Sequence, residues 1–277
     1  MRPERTFTPI DFAAWPRRET FYYFSKMAPT GYSLTVDLDA TALHQTLKAA
    51  NCRLFPAYLW LVTRNLQRQE EFCLAEQNGV LGHYNCLTPL YAAFHEDDKT
   101  FSLLWTAYDD EFPAFQAAYL QDKARHGAHP GILGKAGETP PPNAYTVSCV
   151  PWVSFRHFAV HSYEKQPYFL PSVEAGKLRP EGEKLLLPLS LTVHHAAADG
   201  WQVHQFLTDL QADMDRFDTF LCPPRPRRAR LPCVKGAVSR RLTEGLSGVA
   251  GPFGGNLCRN FYPSLATAPL CAAGPGG

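Results

Sequence analysis

Residues 192–207, TVHHAAADGWQVHQFL, set two adjacent histidines at the end of an apolar run, with Asp199 and Gly200 just beyond. An imidazole exchanges its proton near neutral pH, so a neutral histidine in a fixed tautomer can act as general base on a hydroxyl. If a strand ends here, its side chains alternate: His195 shares a face with Val193, Leu191 and Leu189, and His194 with Thr192 and Ser190. The two rings then point apart and cannot both serve one reacting atom. Three readings compete. His195 is a general base; or one of the pair binds a metal with Asp199 and His204; or both are satisfied structural residues. Divergent faces and the lack of a standard ligand spacing weaken the metal reading. A pair followed by Asp-Gly weighs against the purely structural one. Asp199 also suits the cap of the helix that starts beside it.

The elements that must position these residues mix strand and helix periods. YSLTVDLD places Leu34, Val36 and Leu38 at period two, a half-buried strand, and KLLLPLSLTVHH reads as another. ATALHQTLKAAN sets Leu43, Leu47 and Ala50 on one helical face. FPAYLWLVTRNLQRQEEF predicts a second helix, with Pro56 tolerated in its first turn. LYAAFH and TFSLLWTAY flank EDDK as a hairpin. DDEFPAFQAAYLQDKARHG opens on acids and closes on bases, as a helix dipole prefers. Residues 127–143 read as a surface loop, and AYTVSCVPWVSF as a strand bent at Pro151. The helix after Gly200 presents Val203, Phe206, Leu207, Leu210 and, further on, Phe217. Antiparallel strands under helices predict an α+β sandwich in two layers.

The chain has 277 residues and a net charge of +1, so it carries no basic field for nucleic acid or an anionic membrane. That balance hides an asymmetry. Residues 222–277 hold eight Lys/Arg against the single acid Glu244, a net of +7, which leaves the first 221 residues at −6. This tail, rich in Pro, Gly and Arg, is expected to be disordered and outside the folded domain at 1–221. A read-through or out-of-frame extension is favoured over a nucleic-acid-binding arm. The N-terminal MRPERTFTPIDFAAW contains no signal-like apolar run, which predicts a cytoplasmic protein with reduced cysteines and no membrane span. Cys52, Cys73, Cys86 and Cys149 have no C-x-x-C spacing and read as small buried hydrophobes.

HHAAADG resembles the H-H-x-x-x-D-G motif of CoA-dependent acyltransferases. WPRRETFYYF, FPAYLW, EEFCLA, AAFHEDDKTFSLLW, SCVPWVSF and KLLLPLSLTVHHAAADGWQVHQFLTDLQ resemble, in order, segments of the chloramphenicol acetyltransferase family. The match spans about residues 5–218 and stops short of the tail. The resemblance implies a mixed-sheet acyltransferase fold, trimeric, with sites between subunits. It implies direct transfer from acetyl-CoA to a hydroxyl of chloramphenicol, without a metal and without an acyl-enzyme. His195 would be the general base, and Ser148 the donor to the tetrahedral oxyanion. Asp199 would pair with an arginine of the W-x-R-R segment, Arg17 rather than Arg18. Tyr23, Phe24, Phe101, Phe158, Val160 and Tyr168 would line the antibiotic pocket, and Trp152 and Lys177 the CoA channel.

Each residue also has a plainer reading. Ser148 could be a small strand residue, and the aromatic positions core. The neighbouring Cys149 faces the other way on a strand and so is poorly placed for a thiol acyl-enzyme. Glu174 stands where the family has threonine, Ser162 and Ser172 where pocket positions are aliphatic, and Leu178 where tyrosine is usual. GILGKAGETPPPNAY departs from the family loop in length and composition. These departures bear on acceptor affinity more than on reaction type. Two other functions stand beside the expected one: an acyltransferase for another hydroxylated xenobiotic, and a non-catalytic small-molecule binder.

Overall fold

A computed structural model describes residues 3–129, 131–161 and 168–221. The tail and Ser162 lie outside the described residues. Among the described residues ten strands run in chain order: β1 Phe7–Pro9, β2 Gly31–Asp39, β3 Leu74–Gln77, β4 Val80–Tyr84, β5 Thr88–Phe94, β6 Phe101–Trp105, β7 Ala144–Val150, β8 Ser172–Gly176, β9 Arg179–Glu181 and β10 Lys184–His194. The helices are α1 Arg18–Tyr22, α2 Thr41–Ala49, α3 Leu54–Leu66, α4 Phe112–His126, α5 Gly200–Asp215 and α6 Asp218–Leu221.

The main sheet is mixed and has the order β2-β10-β8-β7-β5-β6, with β9 added on β10. β7 pairs parallel with both β5 and β8; the other neighbours are antiparallel. β1, β4 and β3 form a small second sheet. Its hairpin turns at Asn78-Gly79, both at positive φ, the pair that a two-residue primed turn requires. Helices cover one face of the main sheet, which makes it the α+β two-layer sandwich that the patterns predict.

β10 shows why the layers sort as they do. Leu187, Leu189, Leu191 and Val193 are buried against the helices, while Ser190 and Thr192 alternate onto the opposite face. Register carries that second face across the sheet: Ser190 lies beside Glu174, and Glu174 beside Ser148. Helix α3 is buried nearly throughout, and its polar members are satisfied. Thr63 Oγ1 bonds to Leu59 O and to Tyr145 Oη, and Asn65 Nδ2 donates to Leu61 O. Asp213, fully buried on α5, meets Arg64, Arg68 and Arg216, clamping α5 to α3.

Some local expectations need correction. The predicted α3 stops at Leu66, and Glu70–Cys73 form a separate 3₁₀ turn. The acids ahead of α4 precede its first turn rather than occupy it. Leu34 is 44% exposed, because β2 is an edge strand with only β10 beside it. Among the described cysteines, Cys73 and Cys86 are buried, whereas Cys52 and Cys149 are half-buried; all four are free thiols.

Candidate active site

β10 ends at His194, and the chain then turns through three alanines into α5. His195 N–H donates to Thr30 O at 2.8 Å, tying the turn to the entry of β2. The ring stacks on Phe24, with centroids 3.9 Å apart and planes at 13°, and meets the Tyr32 ring edge-on at 5.1 Å. Phe24 reaches this position from a wide π turn, Tyr23–Met27, closed by Ala28 N–H to Tyr23 O. Such a turn inserts one extra residue and re-aims a side chain. Tyr32 Oη donates to Ala198 O, and burial, with Asp199's charge second, pushes its hydroxyl up to about 12.

Asp199 anchors the turn. Arg17 Nη1 and Nη2 donate to its two oxygens at 2.6 and 3.2 Å, so the arginine of this pair is Arg17; Arg18 instead donates to Ala13 O. These bonds hold the carboxyl below the ordinary carboxylate range, against the opposing pull of burial. Asp199 is also the N-cap of α5, in a capping box whose Gln202 side chain accepts from Asp199 N–H at 3.0 Å. His195 Nδ1 lies 3.2 Å from Asp199 Oδ1, but off the hydrogen-bond direction, so the buried Nδ1 has no hydrogen-bond partner. Nε2 makes no hydrogen bond among the described residues, and the side chain is 30% exposed.

His194 goes elsewhere. Its Nδ1 accepts from Ala196 N–H, its ring packs edge-on to Phe169, and burial lowers its imidazole below the usual range. It lines a cavity of about 1030 Å³ on the hydroxyl-bearing face of the main sheet, with Thr146, Ser172, Thr192, Val160 and Tyr168. Neither His195 nor Ser148 is part of that lining.

Of the six expected pocket residues, Val160 and Tyr168 line this cavity, and Tyr168 Oη donates to Ala144 O. Phe24 sits under the His195 ring, and Tyr23 meets Phe24 edge-on. Phe101, half-exposed, is at the edge strand β6, and Phe158 packs on Phe155. Trp152 is 61% exposed and leans on Phe94, while exposed Lys177 is fixed by its N–H to Val153 O. Cys149 faces the core, and burial pushes its thiol up to about 11, away from thiolate chemistry. Among the described residues, no three His, Cys, Asp or Glu side chains gather as a metal ligand set.

Ser148 and His195 are far apart within one chain. β8 separates β7 from β10, a lateral step of about 10 Å, and His195 lies beyond Ser190 by about 17 Å of strand. The separation is therefore roughly 20 Å, too far for both to address one carbonyl. Tyr32, the Thr30 carbonyl and the Ser172–Glu174 pair were not picked out as site groups from the sequence. Only the last carried a signal, as polar residues at pocket positions.

The chloramphenicol acetyltransferase family model matches residues 5–211. A chloramphenicol acetyltransferase of Clostridium perfringens is 34% identical over 78% of this chain and 98% of its own length. One from Escherichia coli is 35% identical over 76% and 95%, and one from Campylobacter coli 37% over 74% and 97%. A solved chloramphenicol acetyltransferase superposes with a TM-score of 0.65 at 21% identity, over 76% of this chain and all of that one. The truncated catalytic core of a Thermoplasma acidophilum 2-oxoacid dehydrogenase multienzyme complex reaches 0.54 at 16% identity, over 72% and 94%, which shows a shared fold. With its family model matched across the sandwich and relatives covered nearly end to end, the chain belongs to the chloramphenicol acetyltransferase family.

Proposed function

We propose that this protein transfers the acetyl group of acetyl-CoA to a hydroxyl of chloramphenicol, an antibiotic-resistance activity, at a site completed by a second copy of the chain. The observation that carries the reading is the fixed imidazole of His195. Its backbone is tied to Thr30, its ring is stacked on Phe24, and its loop is anchored by Asp199 and Arg17. A general base needs that constraint, because proton transfer falls off steeply once the ring can turn away.

His195 Nε2 takes the proton of the acceptor hydroxyl as its oxygen attacks the thioester carbonyl. The tetrahedral oxyanion accepts a hydrogen bond from Ser148 Oγ. Collapse breaks the carbon–sulfur bond, and the departing thiolate takes the proton back from His195. Transfer is direct, and no acyl-enzyme forms. The roughly 20 Å between Ser148 and His195 supports an interface site, with the cavity and Ser148 from one copy and His195 from its neighbour. A homotrimer in the cytoplasm is the assembly and location we assign. Asp199 and Arg17 serve as structural support, Val160 and Tyr168 as acceptor contacts, and Trp152 and Lys177 as CoA contacts. The folded acyltransferase domain is residues 1–221.

The test is CoA release from acetyl-CoA with and without chloramphenicol. Thiol release that depends on the drug, with acetylated drug recovered, is expected. Binding of the drug without thiol release would overturn the catalytic reading.

A further inference from the structure

The hydroxyl-bearing face of the main sheet holds a buried carboxyl, Glu174, in the middle of β8. It is 0% exposed. Oε1 is hydrogen-bonded to Ser172 Oγ, and Oε2 is buried with no partner. Its cross-strand neighbours are Ser148 on β7 and Ser190 on β10. Ser190 is already committed: it donates to Phe158 O and accepts from Thr35 Oγ1. The covering segment adds Phe155, close against Gly176. Titratable and charged groups surround the position without pairing with it. Arg156, His157 and His161 lie on the covering segment, His194 on β10, and Asp37, bound to Arg179, on β2. Lys177 comes just after β8, and Tyr58 and Cys149 lie beneath the sheet. Among the described residues no cation bonds to Glu174.

A carboxylate in that setting would be buried, half-solvated and uncompensated, which is costly. The neutral acid fits better. A proton on Oε1 has a ready acceptor in Ser172 Oγ, whereas one on Oε2 has none. With the acid donating, the Ser172 hydroxyl proton is released from the shared bond, and Ser172 lines the cavity. With the carboxylate accepting, that proton turns back, and the cavity meets only a lone pair.

We propose that Glu174 is a positioning residue of the acceptor pocket: as a neutral acid it donates to Ser172 and makes that hydroxyl a hydrogen-bond donor to the cavity. The pocket thereby selects acceptor alcohols bearing a hydrogen-bond-accepting group, such as an amide oxygen or nitro group, at this wall. Burial pushes the carboxyl up to about 7, with the Ser172 bond opposing, so the selection weakens as pH rises through neutrality.

This inference rests on the acetyl-transfer reading for its ligand but not for its proton. KM and kcat for chloramphenicol, at saturating acetyl-CoA, should be measured from about pH 5.5 to 8.5 on the full chain, Glu174→Gln and Ser172→Ala. In the unaltered chain KM should rise about tenfold across the range, the effect of one lost hydrogen bond. Glu174→Gln keeps a donor to Ser172, so its KM should stay low and flat. Ser172→Ala should show a high KM with no pH dependence. A flat KM in the unaltered chain, or a pH-dependent KM in Glu174→Gln, overturns the proposal. Difference infrared spectra, unaltered chain against Glu174→Gln, read the proton without turnover. A protonated-carboxyl band should fade as pH rises. Its absence near pH 6 overturns the role of Glu174 alone, whereas no turnover at any pH overturns the function and the ligand class together.

Discussion

Replacing Asp199 by asparagine separates the anchoring of the histidine loop from the chemistry of the histidine. The variant keeps an oxygen for the cap of α5 but loses the charge facing Arg17. The pair is bidentate, with side chains 16% exposed on Arg17 and 38% on Asp199. A fully buried charge-assisted pair would be worth more and an exposed one less than about 1 kcal/mol, so this half-screened pair is worth about 1–2 kcal/mol. For a domain of this size that is a fall in Tm of about 3–6 °C. If the same energy also held His195 in line, kcat falls by a factor of about 5–30. The sign with pH follows from the depressed carboxyl. Its stabilisation is present above the ordinary carboxylate range and is lost as pH falls through the lowered value. The stability gap should therefore be constant from about pH 5 to 8 and close below about pH 4. Urea unfolding across that range, with Arg17→Ala and the double variant, measures the gap and its coupling. A variant as stable as the unaltered chain yet inactive would refute the anchoring argument and give Asp199 a direct part in charging His195.

Other outcomes are open to the same assays. Ser148→Ala should lower kcat by about 10²–10³ with KM little changed, since its hydroxyl acts on the oxyanion; a rise in KM alone would make it a binding group. His195→Ala should cost about 10²–10⁴ in turnover while drug binding survives. His194→Ala should retain turnover and lose stability, and equal inactivation of both, reversed by a divalent metal, would revive the metal reading. Ending the chain at Leu221 should leave folding and acetylation intact, checked by thermal unfolding and CoA release. Glu174→Gln should gain stability over the unaltered chain as pH rises from about 4.5 to 7, where the folded state holds a proton the unfolded chain releases; parallel Tm curves would show Glu174 ionised throughout.

Periodicity made the opposed faces of β10 readable, because alternation is a local property of a strand. The Asp-Gly start of α5 was readable for the same reason, since capping needs only neighbouring residues. The resemblance pointed to Arg17 across the length of the domain, which no local rule reaches. What escaped depends on long-range pairing. The parallel docking of β7 between β5 and β8 brings Ser148 beside Glu174, and nothing in either segment specifies that register. The stacking of Phe24 on His195 depends on the π turn at Tyr23–Met27, which no periodicity announces. Leu34 followed the apolar alternation faithfully and still lies exposed, because a pattern does not say which strand takes the edge.

The two faces of β10 also bear on how such a chain can change over generations. Leu187, Leu189, Leu191 and Val193 belong to the core, while Ser190, Thr192 and His194 alternate onto the opposite face, where Thr192 and His194 line the cavity. A substitution at Thr192, a half-buried member of this wall, alters what it offers a ligand without opening a hole in the core. New acceptors can thus be sampled on this face while the intervening codons keep the sandwich folded. A saturation scan of residues 187–194 would show this as tolerance that rises and falls with a period of two.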